Sequence, residues 1–472
     1  MKRIILTFFV ASFFLLVNAQ NTIEGAWEGK LNTGSFSLRL VFHLQKQGSG
    51  YKATMDSPDQ GATGIEVTKV EIKGDSLLLE IGAINGKALG RLVNDSTFTG
   101  QWSQGVASLP LELKKVAAPS VVSRPQTPKP PFPYRSEDVV YSNQNKSIQY
   151  GATITIPEGP GPFPAMILVT GSGQQNRDEE LFGHRPFAVL ADYLTRQGYI
   201  VLRVDDRGVG KTTGDAATAT SRSFADDVNV GLNYLKSRNE VAKNNIGILG
   251  HSEGGMIAQL VAAERTDLAF VISLAGPGQK ITDLMLDQNR AIMQASGVPK
   301  PATEDYLKLY KSLLPAVVYA PSDTTAKLAA RGLFEAWMKK TPTATVLSTT
   351  GVTGEKDVPA FVNAFTESIR SPWFVYFLKY DPAPYILKMK AKTLVLNGEK
   401  DIQVIAKPNL DRWRATLAKS GVKKYDVIEL KGLNHLFQRC KTCTIQEYGQ
   451  LEETIAPEAL EVIGAWLKGN VK

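Results

Sequence analysis

The chain has 472 residues, 43% hydrophobic and 21% charged, with two cysteines, four histidines and a formal net charge of +8. At roughly 100–200 residues per domain, this length allows two or three domains whose cores need neither disulfides nor a structural metal. A disulfide-rich scaffold, a disordered chain and a polytopic membrane protein are excluded, and the densest basic stretch, Lys388, Lys390, Lys392 and Lys400, lacks the interleaved aromatics of a nucleic-acid site.

In chain order, the first feature is a leader. Lys2 and Arg3 precede an apolar run from Ile4 to Val17 that closes in Val17-Asn18-Ala19. The run is short for a membrane span and ends in a small residue, so residues 1–19 are read as a secretory signal peptide, with an uncleaved anchor as the alternative. No cysteine follows the run, which leaves a lipoprotein anchor unsupported. The expected location is therefore periplasmic or secreted, with no stable membrane span after cleavage.

Residues 20–116 read as an antiparallel β-domain. Phe36, Leu38, Leu40, Phe42 and Leu44 alternate with Ser35, Ser37, Arg39 and His43, the period of a half-buried strand. Lys73-Gly74-Asp75-Ser76 and Val93-Asn94-Asp95-Ser96 supply hairpin turns, and Trp27 and Trp102 bracket the region. A small barrel or sandwich is expected, either holding a ligand such as a lipid or glycan or filled with its own side chains. Residues 117–134 carry Pro119, Pro125, Pro128, Pro130, Pro131 and Pro133 and read as an extended, semi-rigid linker.

Beyond the linker, in residues 135–472, apolar runs alternate with helical patterns. The runs are Ala165–Val169, Ile200–Val204, Ile246–Leu249, Phe270–Leu274, Thr393–Leu396 and Tyr425–Leu430. This alternation implies an α/β domain with a mostly parallel sheet covered on both faces. Residues of about 277–388 interrupt it with helical texture rich in aromatics, including Trp337, Phe361, Phe365, Trp373, Phe374 and Tyr376. That insertion is either a cap over the catalytic edge or additional helical packing.

The central motif is Gly250-His251-Ser252-Glu253-Gly254. A bare Gly-x-Ser-x-Gly is weak, but here it follows the run Ile246–Leu249 and opens the helical stretch Met256–Ala263, the strand–turn–helix setting of a nucleophile elbow. Ser252 is the candidate nucleophile and needs a base to take its proton. Of the four histidines, His43 lies in the β-domain, His251 sits in the elbow and is expected to point away, and His184 comes early. His435 remains, just past the last predicted strand. Asp401 follows the run Thr393–Leu396 and is the candidate acid, with Glu399 its nearest competitor. The oxyanion hole is expected from the backbone amides of Glu253 and Ser172, with Gly173 or Gln174 as alternatives to Ser172.

Two other motifs are set aside. Gly208-Val209-Gly210-Lys211-Thr212 ends like a phosphate loop, but Asp205 stands where the first glycine is required, so no nucleotide cofactor is expected. Cys440 and Cys443 have too few neighbouring ligands for zinc, so no metal is expected. A local disulfide bracing the His435 loop is the favoured reading of that pair.

Five stretches together resemble exported bacterial α/β-hydrolase esterases of the serine-aminopeptidase-like superfamily. They are Thr170-Gly171-Ser172-Gly173-Gln174-Gln175-Asn176-Arg177-Asp178, Asp205-Asp206-Arg207-Gly208-Val209-Gly210, the elbow with Gly255, Asn397-Gly398-Glu399-Lys400-Asp401, and Asn434-His435. The resemblance covers about Tyr134 to the C-terminus. It implies an eight-stranded sheet, a helical cap and hydrolysis of small-molecule carboxylesters with short acyl groups, and it carries nucleophile, acid and base onto Ser252, Asp401 and His435. Some related proteins bear an N-terminal β-domain, whereas the Cys440–Cys443 pair departs from the pattern. Peptidases and thioesterases share this machinery, so an exported aminopeptidase, a thioesterase or a non-catalytic binding protein with a hydrolase fold stands as an alternative.

Overall fold

The structure is a computed structural model that describes residues 23–32, 37–105 and 107–471. The leader reading, and Phe36 of the first alternating strand, lie outside the described residues. Among these residues no helix is long and apolar enough to cross a membrane. The chain divides into two units. The first comprises the described residues of Met1–Pro58 with Ala62–Ser120, and the second comprises Asp59–Gly61 with Val121–Lys472.

The first unit is one antiparallel sheet of nine strands: β1 (Gly25–Asn32), β2 (Ser37–Gln47), β3 (Gly50–Ser57), β4 (Ala62–Val67), β5 (Lys69–Lys73), β6 (Ser76–Ile81), β7 (Gly86–Asn94), β8 (Thr97–Gln104) and β9 (Ala107–Val116). Their order is β4-β3-β2-β1-β9-β8-β7-β6-β5, so chain neighbours β4 and β5 form the two ends of a nearly closed barrel. Its interior is filled by Trp27, Phe42, Leu79, Phe98 and Trp102, the packed option for a barrel this small. The alternation in β2 is less clean than the sequence suggests. Arg39 is also buried, because its guanidinium donates to the Ser120 carbonyl (3.0 Å), and Ser120 in turn donates its N–H to Glu28 (2.7 Å).

The second unit has eight strands: β10 (Tyr134–Ser142), β11 (Gln149–Pro157), β12 (Phe163–Val169), β13 (Ile200–Val204), β14 (Val241–His251), β15 (Phe270–Leu274), β16 (Lys392–Gly398) and β17 (Tyr425–Leu430). They lie in the order β10-β11-β13-β12-β14-β15-β16-β17, antiparallel for the first two pairings and parallel from β13 onward. One face packs on α1 (Pro186–Arg196), with Phe187, Leu190 and Leu194 buried. The other packs on α2 (Ser221–Ser237) and α3 (Glu253–Glu264), whose apolar stripes include Leu232, Met256 and Leu260. The insertion between β15 and β16 is wholly helical and begins with α4 (Ile281–Ala295), α5 (Lys300–Val318) and α6 (Asp323–Met338). It continues with α7 (Thr343–Thr350), α8 (Val358–Ile369), α9 (Pro372–Leu378) and α10 (Ala383–Ile386).

Two expectations need amending. Strands β10 and β11 are absent from the apolar runs of the sequence. β10 is an edge strand whose Arg135, Ser136, Glu137 and Asp138 are polar, so the apolar-run criterion passes over it. Nor is the proline-rich segment a free spacer. Arg124 donates to the carbonyls of Leu451 (2.6 Å), Phe182 (2.8 Å) and Gly449 (2.8 Å), and Gln126 Nε2 donates to Ile455 O (2.6 Å), which lays the segment on the second unit.

Candidate active site

The strand order reverses around β12, and the crevice at the carboxyl ends of β12 and β14 is where an open α/β sheet places its ligand. The elbow occupies that edge. Ser252 takes φ 54° and ψ −118°, a strained conformation for a residue with a side chain, and its N–H donates to Leu274 O (2.8 Å). The glycines around it are steric necessities. A Cβ on Gly250 would stand 2.1 Å from Gly254 O, and one on Gly254 would stand 2.1 Å from Val169 O. Glu253 begins α3, so its amide is among the first N–H groups of the helix, which lack an intrahelical partner.

Asp401 follows β16 and is fully buried. Its Oδ1 accepts the amides of Gln403 (2.7 Å) and Val404 (2.9 Å), while Oδ2 meets Nδ1 of His435 at 2.8 Å. Glu399, the competing acid, turns away: it accepts the Gly432 amide (3.0 Å) and faces Lys431, and that amide with the nearby lysines holds its carboxyl below the usual range. His435 is held in a tight turn by Asn434, whose Oδ1 accepts the amides of Leu436 (3.0 Å) and Gln438 (2.9 Å). Ser252, His435, Ser172 and Glu253 all line one cavity of about 610 Å³, walled on its cap side by Leu284, Met285, Trp373, Phe374 and Phe377.

The remaining histidines separate clearly. His43 bonds Asp56 in the first unit (2.8 Å). His184 is buried between Thr454 and the Tyr448 carbonyl, both at 2.9 Å, and burial with nearby Arg124 pushes it down to about 4. His251 corrects an expectation: it does not point away from the site but lines the cavity, its ring centroid 4.9 Å from that of His435. Its Nε2 lies 3.0 Å from the His435 carbonyl and its Nδ1 lies 3.0 Å from Glu179 Oε1.

Two buried carboxyls, Glu179 and Glu253, and the half-buried Asp206 surround the loop after β12. Glu179 Oε1 also accepts the Gly171 amide (2.7 Å). Glu253 Oε1 accepts Ser221 Oγ (2.6 Å) and the indole N–H of Trp373 on α9 (2.8 Å), so the elbow is bonded to the cap. Burial raises the Glu253 carboxyl, opposed by those donors and by the Ser172 hydroxyl. Asp206 accepts Thr170 Oγ1 (2.9 Å) and the Gln175 amide (2.9 Å), and burial, only partly opposed by these bonds, pushes it up to about 7. Its neighbour Asp205 pairs with Arg177 (2.6 Å). Within the Gly208–Thr212 stretch, Gly210 packs against that carboxylate: a Cβ on it would fall 2.4 Å from Asp205 Oδ2.

Cys440 and Cys443 are joined in a disulfide. The turn they close is also held by Glu447, whose carboxylate accepts the amides of Lys441 (2.9 Å), Thr442 (2.9 Å) and Cys443 (2.7 Å).

A mostly parallel eight-stranded sheet, a serine on a strained strand-to-helix turn and a helical insertion after the following strand decide the fold. The second unit has the α/β-hydrolase fold. Residues 185–331 match the family model described as serine aminopeptidase, S33, a stretch that includes Ser252 and stops short of Asp401 and His435. Esterase EstD of Thermotoga maritima is 26% identical over 283 residues, 60% of this chain, which spans only 57% of that relative. Among solved structures, the Pyrococcus furiosus esterase Pf2001 is 15% identical, with 71% of this chain and 93% of that one covered, at a TM-score of 0.41. The 2,6-dihydroxy-pseudo-oxynicotine hydrolase is 16% identical, with 71% and 68% covered, at a TM-score of 0.39.

Proposed function

We propose that this α/β-hydrolase is a serine carboxylester hydrolase that works through an acyl-enzyme on short-chain acyl esters. The observation that carries the reading is the elbow serine sharing one cavity with an imidazole whose Nδ1 is bonded to a buried, amide-held aspartate. With Nδ1–H donated to Asp401, Nε2 of His435 is the free base. Ser252 Oγ attacks the ester carbonyl as His435 Nε2 takes its proton. The amides of Glu253 and Ser172 receive the oxyanion, and collapse expels the alcohol with the proton from His435. Water then repeats the sequence and frees the acid. The apolar wall of Leu284, Met285, Phe374 and Phe377 suits an acyl chain.

An aminopeptidase would need a free carboxylate for the substrate amine. The two carboxyls in the cavity wall are already engaged, Glu179 with His251 and Gly171, and Glu253 with Ser221 and Trp373, which favours esters over aminoacyl amides. Export to the periplasm or medium is proposed from residues 1–19 and suits the disulfide. A fluorophosphonate should label Ser252, and nitrophenyl esters should be cleaved with kcat/KM highest from acetyl to butyryl. Absence of labelling, or preference for dodecanoyl esters or aminoacyl amides, would contradict the corresponding part of the proposal.

A further inference from the structure

Three loops must agree in position for the proposed chemistry: the oxyanion loop after β12, the elbow after β14 and the base loop after β17. One buried pair bonds to all three. Glu179 Oε1 accepts the amide of Gly171, the residue before Ser172 (2.7 Å). The same oxygen faces Nδ1 of His251, the residue before Ser252 (3.0 Å), and Nε2 of His251 faces the carbonyl of His435 itself (3.0 Å). The fit between loops is close: a Cβ on Gly171 would lie 3.3 Å from both Glu179 Oε1 and Ser252 Cβ. Glu179 adopts φ 51°, a left-handed conformation in a residue with a full side chain, which persists only where the surroundings fix it.

The hydrogen-bond chemistry fixes one proton of the pair and allows an ion pair for the rest. A carbonyl only accepts, so His251 Nε2 must carry a proton. Glu179 Oε1 already accepts the Gly171 amide, and as a carboxylate it can also accept Nδ1–H, so an imidazolium–carboxylate pair satisfies every donor. Burial favours the neutral ring, but Glu179, the His435 carbonyl and more distant Asp401 outweigh it and raise the His251 ring above its ordinary range. The charged or titratable groups facing this ring are thus Glu179, Asp401 and the imidazole of His435.

We propose that Glu179 and His251 are positioning residues that act as one clamp, registering the oxyanion loop, the nucleophile and the catalytic base on each other. The inference rests on the triad reading above. Neither residue exchanges a proton with the substrate. The clamp fixes where Ser172 N–H, Ser252 Oγ and His435 Nε2 stand, and displacements of about 1 Å among such groups cost about a hundredfold in rate.

The test uses the full chain with Glu179→Gln, His251→Gln and the double variant, measuring kcat and KM on nitrophenyl acetate, fluorophosphonate labelling and thermal unfolding. Each single change breaks the relay. In Glu179→Gln, the side-chain amide whose oxygen keeps the Gly171 N–H is neutral and offers no charge to hold the Nδ1 proton of His251. In His251→Gln, the Glu179 carboxylate loses its charged donor. The double variant can rebuild a neutral relay from the two new side-chain amides. The one at position 179 keeps the Gly171 N–H on its oxygen and donates its NH₂ to the amide oxygen at position 251, whose own NH₂ donates to His435 O. Each single variant should lose about a hundredfold in kcat with KM within about threefold, and the double should recover at least about tenfold over either. Folded single variants within about threefold of wild-type kcat would overturn the clamp, as would a double variant whose loss is the product of the single losses. Should a single variant fail to fold, the double variant decides: kcat within about tenfold of wild type supports the relay, and a further loss or failure to fold overturns it. Wild-type protein that is not labelled at Ser252 would instead refute the triad reading itself.

Discussion

Asp401→Asn is the sharpest perturbation of the proposed machinery, because the structure dictates how the new amide must sit. Asp401 Oδ1 accepts two backbone amides, from Gln403 (2.7 Å) and Val404 (2.9 Å), so the asparagine must keep its oxygen there. Turning the amide over would press its NH₂ against two N–H donors in a fully buried site. The NH₂ group therefore replaces Oδ2, which lies 2.8 Å from His435 Nδ1. A donor at that position forces His435 into the tautomer with Nδ1 bare and Nε2 protonated, in which Nε2 cannot accept the Ser252 proton. The fold should persist, since size and backbone bonds are conserved, while kcat falls by about 10⁴-fold, equivalent to about 5.5 kcal/mol of transition-state stabilisation. Steady-state hydrolysis of nitrophenyl acetate, with thermal unfolding as the control, measures both. A folded Asp401→Asn protein within about tenfold of wild-type kcat would show that Asp401 does not set the base's tautomer.

The burial that pushes Asp206 up to about 7 means the native state holds its proton more tightly than the unfolded chain, so its contribution to stability is fully present below about pH 4 and is lost as pH rises through about 7. The rise from 3.8 to about 7 corresponds to at most about 4 kcal/mol, and Asp206→Asn should flatten the unfolding profile between about pH 4 and 7, an effect absent if the carboxyl is ionised throughout. A chain starting at Val121 should fold and hydrolyse a small soluble ester, because the two units have separate cores; a start at Pro131 would also delete the anchors of Arg124 and Gln126 and should unfold at lower temperature. Reduction of Cys440–Cys443 should cost no more than about 1–3 kcal/mol, since so short a loop gains little from closure and Glu447 holds the same turn through three amides. Thiol titration with calorimetry checks this, and a larger loss would mean the bond carries the His435 loop.

What can be read from the residues alone follows from how local each signal is. Ile200–Val204, Phe270–Leu274 and Tyr425–Leu430 are short apolar runs bounded by polar turns, and each stands as the strand the sequence suggests. The elbow is only partly local: Gly250 answers to the backbone of Gly254 within the same turn, whereas Gly254 answers to Val169 at the end of the neighbouring strand β12. Chain order and placement after strands single out Asp401 and His435, which do meet. Strand β10 is not legible because an exposed edge need bury little, and Arg135 to Asp138 look like a polar loop.

The clamp and the cap bond escape for a different reason: their partners are remote in sequence and their residue types look ordinary. Glu179 meets His251 across 72 positions, and Trp373 meets Glu253 across 120. A glutamate six residues after the glycine-rich Gly171–Gly173 loop has no pattern that marks it as buried, and a histidine beside an elbow serine is readily dismissed as facing away. Only the fold reveals that three loop ends converge within hydrogen-bond reach of one carboxylate oxygen and one ring. The placement of the proposed reactive residues is therefore written mostly locally, in the glycines and turns that present Ser252, Asp401 and His435. Their mutual register is written in buried polar groups, whose cost without partners holds them to a single arrangement. On that argument, substitutions in this chain that leave all three proposed catalytic side chains intact can still abolish the proposed turnover, and Glu179 and His251 are where such losses should concentrate.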